Sequence, residues 1–344
     1  MDLPESYEFK EGNANDRFSF ACTSGALFDI AIYKGRYNTP ADLVNDVNKR
    51  LSNKGSADFF KYRDNQAAIF TLEFNEFSGW GLVLTLESAS PSQPVFLLAL
   101  AYGPASAKDL DFFHISALDS LCPTQADRRY PGPIMEYTYP RGEKKRMPLA
   151  LSGVNGMICD NDAIAAQSLI EREFIVLQYF ANLPNWQNAW IRYYKAIYRD
   201  SYDRIAEAAS MIVRYWGGPP SGDQEKRAFA QKALDFVQGF SYERDFSGSD
   251  FLNLVTAVTE GRGDCDSRAM LWAIVLDKSL IPASMMISRP HSHAMGLAHL
   301  TGSGARFESL GIQWLVAETT AKVGLGMIAQ DFSDPSNWIG VIFD

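Results

Sequence analysis

Cysteine and histidine are scarce in this sequence, with four of each in 344 residues. Cys22, Cys122, Cys159 and Cys265 lie far apart and none belongs to a CxxC pair, which excludes a disulfide framework or a zinc knuckle. Cys22, Cys122 and Cys159 read by default as buried free thiols. Long apolar runs are missing too. The longest, Val95 to Tyr102, is far shorter than the roughly 18 residues of a membrane span and suits a buried strand. Positive charge is in deficit, 32 Lys and Arg against 41 Asp and Glu, for a formal net charge of -9. That argues against a nucleic-acid-binding surface or a polybasic membrane patch. The opening Met1-Asp2-Leu3-Pro4 has no basic or apolar leader character, so a cytoplasmic protein is expected, or an extracytoplasmic one if a leader preceded Met1.

What is present is ordinary globular material. Hydrophobic residues make up 47% and charged residues 21%, enough apolar mass for real cores, and the length suggests two domains. Residues 1–145 read as a β-rich α+β domain for recognition or docking. Phe18–Phe20 and Leu27–Tyr33 are short apolar segments. Thr39-Pro40 caps a helix from Pro40 to about Asn53, with Leu43, Val44, Val47 and Leu51 at helical spacing. Strands are expected at Ala67–Phe74, Gly81–Glu87 and Val95–Tyr102, separated by turns at Ser78-Gly79-Trp80 and Ser88–Pro94. They would form an antiparallel meander on the helix. His114 reads as a core histidine, and Arg141–Arg146 as a solvated loop near the domain boundary.

From Ile164 the apolar period becomes helical. Stripes at Ile170/Phe174/Leu177/Phe180, Trp186/Trp190/Tyr193/Ile197 and Ile205/Ala208/Ile212/Trp216 predict three helices with buried faces, the aromatic stripe being a core face and not a sugar-stacking one. Ser221-Gly222-Asp223-Gln224 starts a fourth with a capping-box pattern. A short helix or turn at Asp250–Val258 precedes a helix from Cys265 to about Leu280, ended by Pro282. Short strands then follow at Ser284–Ser288, Met295–Leu300, Ala305–Leu310, Gln313–Thr319 and Trp338–Phe343. Helices first and antiparallel strands after make residues 146–344 a second α+β domain, not a doubly wound sheet.

The chemistry gathers at Gly261-Arg262-Gly263-Asp264-Cys265. The glycines permit a sharp backbone turn, and Asp264 is a good N-cap for the helix that begins at Cys265. A thiol at a helix N-terminus sees positive potential, which favours thiolate, and the backbone there supplies an oxyanion donor. Downstream lie a histidine in Ser292-His293-Ala294 and a carboxylate in Trp314-Leu315-Val316-Ala317-Glu318-Thr319-Thr320. Cysteine, base and orienting acid in this order are the parts of a nucleophilic acyl-transfer site. Gly263 and Asp264 support the turn, and Trp216, Gln238, Tyr242 and Asn253 are candidates for the second oxyanion donor.

Residues from about 203 to 342 resemble the transglutaminase-like superfamily, a circularly rearranged relative of the papain fold. Its pattern is a Gly-x-Gly-Asp-Cys helix start, then His-Ala-aromatic on a strand, then Trp-x-x-x-Asp-Pro-Thr. Gly261–Cys265 fits fully; His293-Ala294-Met295 has Met in the aromatic place; Trp314–Thr320 has Glu for Asp and Thr for Pro. The resemblance implies Cys265 as nucleophile, His293 as general base and acid, and Glu318 as the orienting carboxylate. It does not cover residues 1–150.

Other readings of the same residues are a histidine nucleophile partner at His291 or His299, a metal site built from His291, His293 and His299, and an adhesion tripeptide at Arg262-Gly263-Asp264. The expected function is acyl transfer on amide bonds of a protein or peptide substrate through a Cys265 thioester, by hydrolysis first and cross-linking second. No cofactor, metal or nucleic acid is called for. The alternative from another class is an inactive transglutaminase-like module that binds a peptide or protein.

Overall fold

The structure, a computed structural model, describes all residues except Ala14, 89–92, 108–109, 245–247 and Asp344. It is a mixed α+β protein with a β-rich N-terminal region and two compact units. The first comprises Met1–Asp127, Gly132–Pro140 and Ile175–Arg192; the second comprises Arg128–Pro131, Arg141–Phe174 and Tyr193–Asp344. Among the described residues no helix is long and apolar enough to cross a membrane.

The first unit is built on β1 (Tyr7–Gly12), β2 (Arg17–Cys22), β3 (Leu27–Lys34), α1 (Pro40–Leu51), β4 (Ala57–Tyr62), β5 (Asn65–Phe74), β6 (Phe77–Leu86), β7 (Val95–Pro104), α2 (Asp111–Asp119) and α3 (Pro133–Thr138). Its antiparallel sheet has the order β1-β2-β3-β7-β6-β5-β4, so the expected three-strand meander lies inside a seven-stranded sheet. Helix α1 begins as its sequence predicts. The Thr39 hydroxyl accepts from Asp42 N at 3.2 Å, and Asp42 accepts from Thr39 N at 3.0 Å. Its Leu43, Val44 and Val47 then pack into a core with Phe70, Leu72 and Phe96.

One expectation needs correcting here. The turn between β5 and β6 is not at Ser78-Gly79-Trp80, which sits inside β6, but at Asn75-Glu76, with Asn75 at φ +50°. Asparagine tolerates that left-handed conformation and allows a two-residue hairpin. The Ser88–Pro94 break lies largely outside the described residues. His114 is in the core as expected, 2% exposed.

The second unit runs through β8 (Lys144–Pro148), β9 (Asn155–Cys159), the first part of α4 (Asp162–Phe180), the latter part of α5 (Trp186–Arg204), α6 (Ala206–Tyr215), α7 (Asp223–Gln238), β10 (Ser241–Tyr242), α8 (Leu254–Glu260), β11 (Arg262–Gly263) and α9 (Cys265–Lys278). The basic run expected as a loop partly forms β8, antiparallel to β9. Its cations find carboxylates, Asp203 for the largely buried Arg141, Glu207 for Lys144 and Asp160 for Lys145.

Strands β12 (Ala283–Ser288), β13 (His293–Ala298), β14 (Arg306–Ser309), β15 (Ile312–Ala317) and β16 (Ile339–Val341) then form an antiparallel sheet in the order β14-β15-β13-β12-β16. Helix α9 packs on β12 and β13 and is buried from Cys265 to Leu276. Its Trp272 lies so close to β13 that a side chain at Gly296 would meet the indole at 2.5 Å. The helix that carries the cysteine is thereby fixed against the strand that carries the histidine.

Candidate active site

The helix start is built from local signals. Helix α8 ends at Gly261, whose φ of +67° is the left-handed conformation a helix-terminating glycine adopts at no steric cost. The chain then makes a two-residue parallel pairing, Ser241 with Arg262 and Tyr242 with Gly263. Asp264 caps α9, its Oδ1 accepting from Ser267 N at 2.8 Å and from Ser267 Oγ at 2.5 Å. Arg268, buried one turn later, donates to Gly263 O at 3.1 Å and Phe240 O at 2.9 Å and lies over the Tyr242 ring. Because Gly263 and Asp264 are buried, the Arg262–Asp264 tripeptide is not presented for adhesion.

His293 opens β13 and Glu318 follows directly on β15, two strands paired through Gly296 and Ala317. The pairing brings Glu318 Oε2 to 2.7 Å from His293 Nε2. The other carboxylate oxygen, Oε1, accepts from Thr320 N at 2.7 Å and Thr320 Oγ1 at 2.6 Å. Burial works to raise the Glu318 carboxyl, but the bonds from His293 and Thr320 outweigh it and hold the group below its ordinary range. The imidazole faces Phe332 at 5.2 Å and Trp338 at 6.3 Å between ring centres. Its Nδ1 has no hydrogen-bond partner among the described residues.

Cys265 is 1% exposed, and the backbone N–H of Ala294, the residue after His293, donates to its sulfur. Sulfur and imidazole are not hydrogen-bonded to each other in this structure. The thiol itself departs from expectation. Burial, then Asp266, then Asp264 push it well above its ordinary range, against the weaker pull of the Ala294 amide and Arg244. The helix N-terminus does not prevail because this first turn is dry and carries two carboxylates.

The other candidates are distributed unevenly. Gln238 spends its amide on Glu318 O at 2.8 Å and Val323 O at 3.0 Å, bracing the acid's backbone. Asn253 caps α8 by accepting from Thr256 N at 2.9 Å and donates to Gln167. Trp216 packs edge-on against Phe229 and Phe236. Tyr242 remains within electrostatic reach of the thiol; it is about half exposed, and the partial burial of its ring is the main cause that pushes its hydroxyl up to about 12. The three downstream histidines form no ligand cluster among the described residues: His291 shares the Phe332 and Trp338 rings with His293, but His299 faces Trp314 instead. Sequence reading missed Thr320, Ala294 and Asp266. Thr320 had a signal in the short polar run after Glu318; the strand amide had none.

No protein-family model matches the chain, and no curated protein matches it. Among solved structures the chain is similar to a Bacteroides thetaiotaomicron protein at 10% identity and a TM-score of 0.20, covering 62% of this chain and 73% of that one. It is also similar to a Parabacteroides distasonis protein provisionally named a protease, at 10% identity and a TM-score of 0.24, covering 80% of this chain and 42% of that one.

Proposed function

We propose that the chain is a thiol-dependent acyl-transfer enzyme of transglutaminase-like type, acting on amide bonds of a protein or peptide. The observation that carries this reading is the 2.7 Å bond from His293 Nε2 to Glu318 Oε2, with Cys265 held at a helix start against the amide of the next residue. With Nε2 committed to the carboxylate, Nδ1 is the nitrogen left to exchange a proton with the thiol. In the reaction Cys265 gives its proton to His293 and its sulfur attacks the amide carbon. The tetrahedral oxyanion is met by the Cys265 N–H and the Tyr242 hydroxyl. His293 then protonates the leaving amine, and water or a second amine releases the acyl group from the thioester. Because its surroundings hold the thiol protonated, proton transfer to His293 accompanies attack and does not precede it.

The elevated thiol also favours a second reading, a silent module that binds a peptide. Alkylation with a peptidyl electrophile, followed by mapping of the modified cysteine, separates the two. The enzyme reading expects Cys265 to react first, and His293→Ala to slow it by about 10²-fold or more. Labelling of the partly exposed Cys122 ahead of Cys265, with no effect of His293→Ala, would overturn it.

A further inference from the structure

Three carboxylates meet beside the cysteine. Oxygens of Asp250, Asp264 and Asp266 lie within 4.8 Å of one another. Asp264 is completely buried and Asp266 nearly so, while Asp250 is half-buried and opens the group to solvent. Their partners are few. Asp264 gives Oδ1 to Ser267, and its Oδ2 is buried with no hydrogen bond. Asp266 takes a bond from Tyr194. Arg244 forms an ion pair with Asp250 at 3.0 Å, and Arg268 acts on Asp264 from beyond ion-pairing distance. The Arg244 guanidinium also donates to Ser292 O and acts on the two buried acids through space without bonding to either.

From this we propose that Asp250, Asp264 and Asp266 form a binding site for a divalent cation, with Ca2+ the best-suited ion. A buried carboxylate oxygen with no donor is a costly arrangement that a cation relieves. The donor set is all oxygen, since the Cys265 sulfur between Asp264 and Asp266 is engaged by the Ala294 amide. Such a set selects hard cations over zinc or copper. With no two of the oxygens more than 4.8 Å apart, a point among them lies within about 2.8 Å of each, so small side-chain adjustments bring all three to Ca–O lengths of about 2.3–2.6 Å. Half-exposed Asp250 leaves room for water to fill the remaining positions. The cation would bridge the turn before α8 to the first turn of α9, with one ligand on each side of the nucleophile.

The test is calorimetric titration of Ca2+, and separately Mg2+, into the chelator-treated full chain, with melting temperature followed in parallel. The expected result is one saturable Ca2+ site and a raised Tm. Asp266→Asn and Asp250→Asn should each weaken binding by about tenfold or more; Asp250 is exposed enough that its variant keeps the fold. Cys265→Ala should bind Ca2+ as the parent does, which separates this site from the acyl-transfer reading. Absence of heat and of a Tm shift at up to roughly 10 mM of either ion, an upper bound for even weak calcium modules, would overturn the proposal. So would unchanged affinity in both variants. Either result would assign the lone Asp264 oxygen to a proton shared with Asp266.

Discussion

Glu318 and His293 face each other across 2.7 Å, with the second carboxylate oxygen tied down by Thr320. One methylene longer than aspartate, the glutamate still reaches Nε2, because Gln238 holds its carbonyl and Thr320 holds its tip. Glu318→Gln should therefore fold normally and lower turnover by roughly 10²–10⁴-fold, since a neutral amide neither fixes the tautomer nor steadies the imidazolium. Single-turnover rates against pH check this. An unchanged rate would mean that the carboxylate is only structural.

The oxyanion role proposed for Tyr242 can be tested by removing its hydroxyl. Its hydroxyl, pushed up to about 12, stays protonated at neutral pH and can donate. Tyr242→Phe is expected to lower the acylation rate by about 10²-fold with little change in KM, the signature of an interaction made in the transition state.

His114 makes the first unit sensitive to acid. Burial lowers its pKa from 6.5 to about 4, more than the nearby Asp111 carboxylate restores. Between those values the unfolded chain takes up a proton that the folded chain refuses. Stability is thus full above about pH 6.5, falls as the pH drops, and levels off below about pH 4, a loss of about 3 kcal/mol at most. Urea melts at several pH values should show that slope, and His114→Leu should flatten it.

Gly296 fixes the distance between helix and strand. A methyl there would meet the Trp272 ring at 2.5 Å, and the indole cannot retreat easily because its Nε1 donates to Ala230 O at 3.1 Å. Gly296→Ala should cost about 1–3 kcal/mol by overpacking. It should also slow Cys265 alkylation by shifting α9 off β13; a stable variant with unchanged reactivity would contradict this.

Much of this arrangement was legible in the sequence, and the reasons for what was not are physical. Helix α1 was readable because Thr39, Pro40 and the spacing of Leu43 to Val47 all point the same way. The glycine turn and N-cap marked Cys265 locally, whereas His293 and Glu318, which the structure brings together, were singled out by their order after it and by the family resemblance. The edge strands β1 and β4 were not, since their mostly exposed residues lack the alternation of a half-buried strand. The state of the thiol was hidden for a different reason. A sequence shows that Asp264 and Asp266 flank Cys265, but only the fold shows that all three are dry.

The buried Arg268 bears on how the site comes into being. Its guanidinium has no carboxylate within ion-pairing distance among the described residues, and it is solvated instead by the carbonyls of Phe240 and Gly263. A charge cannot be left dry while those carbonyls are still unplaced. The turn before the cysteine and the first turn of its helix must therefore become ordered in the same step. Local fraying of this corner is accordingly expensive, and amide hydrogens at Gly263 and Arg268 should exchange only when the second unit opens as a whole.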